Sequence, residues 1–128
     1  GLAALLRFMF DSAPQGKTDS PARLLRILIE DDRQCKHSLE TLSAKCGYSS
    51  DHLRLCFERE FGITPQKYRM QWRMAQALEL AIHSRLSAKE ISRQLGFPHP
   101  THFSTAFRAA HGQTPRDAIR LRRQYFEA

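Results

Sequence analysis

The strongest constraint on this chain is that part of it occurs twice. The stretch LSAKCGYSSDHLRLCFEREFGITP, residues 42–65, returns as ISRQLGFPHPTHFSTAFRAAHGQTP, residues 91–115. Gly47 corresponds to Gly96 at an offset of 49, whereas Phe57, Gly62 and Pro65 correspond to Phe107, Gly112 and Pro115 at an offset of 50. The second copy therefore has one extra residue in the turn after its first glycine. A repeat of this size means that one supersecondary unit is used twice.

Each copy has a mechanical reading. A short helix presents Leu42 or Ile91, beside a small Ser43 or Ser92 that lets two helices approach closely. Gly47 or Gly96 follows, where a helix C-terminus favours positive φ. An aromatic residue, Tyr48 or Phe97, packs after the turn. A second helix carries apolar residues at i and i+4: Leu53 and Phe57, or Phe103 and Phe107. It stops at Gly62 or Gly112, and Thr64-Pro65 or Thr114-Pro115 caps and starts the next helix. Helix, glycine turn, helix is the helix-turn-helix layout. One copy would be weak support; two in register are strong support.

The remainder is also patterned for helices, with no period-2 run bounded by turn residues. Pro65 to about His83 reads as one helix of ~five turns, with Tyr68, Trp72, Ala75, Leu78 and Ile82 on a broad apolar face. Ser20-Pro21 reads as a cap and first helical residue, followed by an apolar stripe of Leu24, Leu25, Leu28 and Ile29 that should fade near residues 32–34. A last helix carries Ala118, Ile119 and Leu121, then Tyr125-Phe126. Residues 11–19 are rich in breakers and read as a linker. They follow an apolar segment, Leu2 to Phe10, which is too short to span a membrane and is a poor secretory signal. The chain begins with Gly1, which suggests a piece of a longer protein, and a cytoplasmic location is the default expectation.

The expected fold class is all-α: a seven-helix domain with two helix-turn-helix subdomains joined by a long linker helix, plus the apolar N-terminal segment. The expected limits are 1–19 for segment and linker and 20–128 for the domain. Within the domain, the first unit spans 38–62, the linker helix 65–84 and the second unit 87–112.

Charge alone leaves two readings open, a polyanion partner or a solvated basic surface. The net charge is +7, and arginines outnumber lysines fifteen to five. Residues 1–60 balance nine bases against nine acids, whereas residues 61–128 hold eleven bases and four acids. Arginine suits forked contacts to phosphate and to guanine edges. The spacings of Cys35, Cys46 and Cys56 match no zinc pattern, and Cys46 and Cys56 fall on apolar helix positions as buried thiols. No metal or cofactor is expected. No nucleophile–base set or phosphate loop is present, so the reading is not enzymatic.

From about Ser38 to Arg120 the chain resembles the AraC/XylS family of bacterial transcription regulators. The matching stretches are LSAKCGYSSDHLRLCFEREFGITPQKY, RMAQALEL and EISRQLGFPHPTHFSTAFRAAHGQTP. The resemblance implies sequence-specific binding of double-stranded promoter DNA, each unit inserting its second helix into the major groove, with the two insertions ~34 Å apart on one face. Base-reading positions carried over from the family fall on Asp51, Arg54 and Leu55 in the first recognition helix, roughly residues 50–61. In the second, roughly 100–110, they fall on Pro100, Thr101, His102 and Thr105. Ser49, Ser50, Ser104 and Arg108 are candidate phosphate contacts, and Arg69 and Arg73 candidate backbone clamps on the linker helix. Arg54 is read as a fork onto a guanine, against an i+4 pair with Glu58. Asp51 is read as a helix-capping charge, against an acceptor from cytosine.

The chain departs from the family where an aspartate usually caps the second recognition helix; here the turn reads Pro98-His99-Pro100. Candidate partners beyond DNA are RNA polymerase and an upstream effector-sensing or dimerising domain, with no membrane. The competing expectation is a helical module that binds nucleic acid without sequence preference, or binds protein.

Overall fold

The structure, a computed structural model, describes residues 20–126. The expected apolar segment and linker, 1–19, lie outside the described residues. Seven helices follow one another and no strand occurs among the described residues. They are α1 (Pro21–Asp31), α2 (Leu39–Lys45), α3 (Ser50–Phe61), α4 (Pro65–His83), α5 (Ala88–Gln94), α6 (Pro100–His111) and α7 (Pro115–Phe126).

Local chemistry sets the helix starts. Ser20, Ser38, Ser49 and Thr64 each accept a hydrogen bond from the backbone N–H three residues on, satisfying one of the orphan donors of a first turn. Thr114 does the same for Asp117. Ser87 and Glu90 form a reciprocal capping box. The exception is α6, whose cap position is His99 with no side-chain bond; there His102 N–H bonds the His99 carbonyl at 3.1 Å, and Pro100 presets the first helical φ. The departure from the family at Pro98-His99-Pro100 thus leaves this helix without a side-chain cap.

The repeat in sequence is a repeat in backbone. Gly47 and Gly96 have φ of 84° and 81°; Gly62 and Gly112 have 72° and 73°. Tyr48 N–H reaches the Ser43 carbonyl at 3.3 Å, and Phe97 N–H the Ser92 carbonyl at 3.0 Å, the backward bonds that close a helix end. Ser43 and Ser92 are buried, as their small size suggested. The extra residue lies where the offset placed it: His99 takes the cap position that Ser49 holds in the first copy, and Pro98 is inserted between Phe97 and that cap.

Two cores result. The first gathers Ala22, Leu25, Ile29, Leu42, Leu53 and Phe57 with Tyr68 and Trp72. The second gathers Ile91, Leu95, Phe103, Phe107, Ala118 and Ile119 with Met74, Ala77 and Ala81. Helix α4 supplies the last residues of both sets, so 19 residues, ~28 Å of helix, belong to two cores at once. Polar groups complete the packing. Tyr68 donates its hydroxyl to Glu30. His111 Nε2 lies 2.9 Å from the Met74 carbonyl. Buried Arg122 bonds the carbonyls of Ala81, Ser84 and Leu86, where a cation complements a helix C-terminus. The three cysteines are free; Cys46 and Cys56 pack against the first core half-buried rather than fully buried.

Phe107 is fully buried and touches the rings of Phe103 and His111. Phe107→Ala should lower unfolding free energy by about 3–5 kcal/mol in a denaturant titration. A loss below about 1 kcal/mol would contradict its place in the second core.

Candidate nucleic-acid interface

The two second helices share one design: an apolar edge pins each helix while its opening turn stays in solvent. In α3, Leu53 and Phe57 are buried, and Ser49, Ser50, Asp51, Arg54 and Leu55 are exposed. Leu55 stands out as an apolar side chain left 58% exposed, without a core partner. In α6, Phe103 and Phe107 are buried; Pro100, Thr101, His102, Thr105 and Arg108 are exposed and Ser104 is half-buried. The carried-over base-facing positions therefore form two solvent-facing sets at equivalent places in the repeat.

Some of these groups already hold partners. Ser49 caps α3 by accepting from His52 N–H at 3.2 Å. The capping bond is thus the serine's, and Asp51 contributes its charge to the first turn. Thr105 donates its hydroxyl to the Thr101 carbonyl at 2.9 Å, leaving its methyl and lone pairs outward. His52 stacks on Tyr48 at 5.1 Å with its Nε2 3.6 Å from Cys56 Sγ. His99 and His102 meet edge-on at 5.3 Å at the tip of α6. Among the described residues no ion pair engages Arg54, so the pairing with Glu58 is not formed.

A matching open groove runs beside each of these helices. Arg54 and Asp51 share theirs with Thr64, Gln66, Lys67 and Met70 at the start of α4. Thr101 and Ser104 share the other with Lys89, Thr114 and Arg116. Arg116 and Lys89 continue into a basic surface with Arg120 and Arg123. Lys67, Lys89 and Arg116 were not singled out from the sequence. The signal for two of them was local, since each lies within three residues of a Thr-Pro step that starts a helix.

The two arginines expected on a DNA-facing side of the linker helix are elsewhere. Arg69 is buried and pairs with Asp32 at 2.7 Å. Arg73 forks onto the Leu95 carbonyl, Nε at 3.2 Å and Nη2 at 2.8 Å, and lies 3.8 Å above the Phe97 ring. Burial, with Arg69 nearby, pushes the Arg73 guanidinium below its ordinary value, against Cys35 and Asp32; it stays charged at any physiological pH. Both arginines face inward because the loop after α1 supplies the carboxylate and α5 ends on an open carbonyl. Neither partner was visible from the helix's own sequence.

Asp32 is the acceptor at the centre of this arrangement. Burial raises its pKa, but the amides of His37 and Lys36 and the charges of Arg69 and His37 outweigh that and hold it below the ordinary aspartate value of 3.8. The amide bonds are 2.9 and 3.0 Å long.

The sequence profile of the helix-turn-helix domain family matches residues 42–121. The HTH-type transcriptional activator RhaS of Salmonella arizonae is 32% identical over 108 residues, covering 83% of this chain and 39% of RhaS. The chain thus spans well under half the length of that relative. A transcriptional regulator with an AraC-type DNA-binding domain from Chromobacterium violaceum superposes with a TM-score of 0.73 at 26% identity, covering 82% of this chain and 94% of that one. The DNA-binding domain of AdpA, solved with a target DNA, shares the fold at a TM-score of 0.77 and 22% identity, covering 84% and 97%.

A carboxyl with a lowered folded pKa adds stability above its unfolded value and loses it as pH falls through the folded one. Asp32→Asn should therefore destabilise most at neutral pH, and its difference from wild type should shrink as pH drops below about 3.8. Thermal melts of both proteins across that range check this. A pH-independent difference would mean the carboxylate charge is not what holds the loop.

Proposed function

The chain belongs to the AraC/XylS type of helix-turn-helix regulators, and on that premise we propose that it binds double-stranded DNA by sequence, with α3 and α6 in successive major grooves, and so regulates transcription. The observation that carries this reading is the duplicated unit, which presents an exposed helix start beside a basic groove at equivalent places. Residues 20–128 are the DNA-binding domain in this reading. The homology to a transcriptional activator and the fold of a DNA-bound neighbour support it.

Roles follow from side-chain chemistry. Arg54 reads a base by forking onto guanine O6 and N7, with Leu55 against a thymine methyl and Asp51 favouring the helix start. Pro100, Thr101, His102 and Thr105 contact bases by neutral hydrogen bonds and apolar touch. Ser49, Ser50, Ser104 and Arg108 hold phosphates, joined by Lys67, Lys89 and Arg116 in place of the inward-facing Arg69 and Arg73. The first unit carries more of the sequence reading, and the second, ringed by Lys89, Arg116, Arg120 and Arg123, carries more of the grip on the backbone. The length of RhaS beyond the matched part leaves room in the whole protein for a further domain, which this reading takes to be effector-sensing or dimerising. RNA polymerase as a partner and a cytoplasmic location follow from the same reading. No helix among the described residues is long and apolar enough to cross a membrane. No catalytic role is proposed.

A competitor gel shift tests the assignment. Binding to one duplex should survive excess random duplex at moderate salt; loss to the competitor would instead indicate a nonspecific module. Arg54→Ala should lose about 1–3 kcal/mol of discrimination at one base pair while keeping its affinity for random duplex. An equal loss on both would reassign Arg54 to a phosphate.

A further inference from the structure

Substantial helix packing between the two units runs through α4 alone among the described helices. A second bridge exists away from that helix, built by the loop between α1 and α2. Its peptide at Gln34 lies directly over the Gly96 α-carbon. A side chain at position 96 would start 1.9 Å from the Gln34 carbonyl oxygen, 2.7 Å from its carbon and 3.2 Å from Cys35 Cβ. Gly47, the same position in the first copy, has the same left-handed backbone and nothing within 4 Å. The turn alone thus explains Gly47, whereas Gly96 answers to a second requirement.

The loop is held in an unfavourable shape. Cys35 is a non-glycine residue at φ 54°, a conformation that costs about 1–2 kcal/mol. Asp32 fixes it by four hydrogen bonds: its carboxylate accepts from Lys36 N–H, His37 N–H and Arg69 Nη2, and its carbonyl accepts from Cys35 N–H at 2.9 Å. One turn along α4, Arg73 reaches the other partner, binding the Leu95 carbonyl and covering Phe97 on either side of Gly96. Asp32, Arg69, Arg73 and the Gly96 turn form one continuous contact between the units.

We propose that the loop of residues 32–37, with Arg73 and Gly96, is a brace that sets the rotation of the second recognition helix relative to the first, making Asp32, Arg73 and Gly96 positioning residues for DNA spacing. A single shared helix permits bending and twisting; a second attachment off its axis removes them. One base pair of changed spacing turns a half-site by about 35°, so a braced pair of heads accepts one spacing and a loosened pair accepts several.

The test compares Gly96→Ala, Gly47→Ala and Arg73→Ala in the whole chain. Without DNA, amide residual dipolar couplings from the two units should fit one alignment tensor in wild type and Gly47→Ala, and two in Gly96→Ala and Arg73→Ala. With duplexes whose half-sites are moved by one base pair either way, wild type should prefer one spacing. The loosened variants should lose about tenfold at that spacing, as effective concentration falls, and little at the others. Arg73→Lys, which keeps charge but not the fork, carries the same expectation should Gly96→Ala fail to fold. A single tensor in Arg73→Ala and Arg73→Lys, matching behaviour of Gly96→Ala and Gly47→Ala, or equal loss at every spacing would overturn the brace. The spacing arm rests on the DNA-binding reading, but the alignment arm does not. A wild type without preference for any duplex would sink that reading and leave the brace to the couplings.

Discussion

Everything in this structure hangs on one helix serving two cores. Tyr68 and Trp72 close the first, and Met74, Ala77 and Ala81 close the second. The changeover takes place within two residues, so each unit is anchored on α4, and only bending or twisting of that helix is left to turn one against the other. Its apolar face is broad rather than a narrow stripe because two neighbours bury it at different points along its length. Arg122 and His111 then tie carbonyls of the same helix to α7 and α6. These groups make the linker part of the second unit rather than a tether to it.

Burial divides the arginines into two populations. Arg69, Arg73 and Arg122 are turned inward to a carboxylate or to open carbonyls. Arg54, Arg108, Arg116, Arg120 and Arg123 face solvent. Only the second population contributes charge that a polyanion can reach. The positive excess of the C-terminal half therefore concentrates near α5 and α7, beside the second recognition helix, rather than along the linker. The opening turns of α3 and α6 differ accordingly: the first carries Arg54, the second Thr101, His102 and Thr105 with bases around them.

Much of the fold was legible from residues close together in sequence. Serine and threonine caps, proline first turns and positive-φ glycines act within a few residues, and they placed the helix ends to within a residue or two. The offset between the two copies even located the turn that holds the inserted Pro98. Exposure of Arg54 and Leu55 followed from the i, i+4 anchors Leu53 and Phe57. What was not legible depended on partners far away in the chain. Arg69 and Arg73 have the spacing of a solvent-facing pair, yet Asp32 is 37 residues from Arg69 and the Leu95 carbonyl 22 from Arg73. Gly96 read as a turn glycine identical to Gly47, because a local pattern cannot register a loop from the other unit pressing on it.

The proposed function requires the two units to act on DNA as one rigid pair of heads. Hydroxyl-radical footprinting on a duplex selected by the chain tests it most directly. Two protected patches on one face of the duplex, centred about one helical turn apart, are the predicted result. A single patch, or two patches whose separation varies between selected sequences, would contradict it.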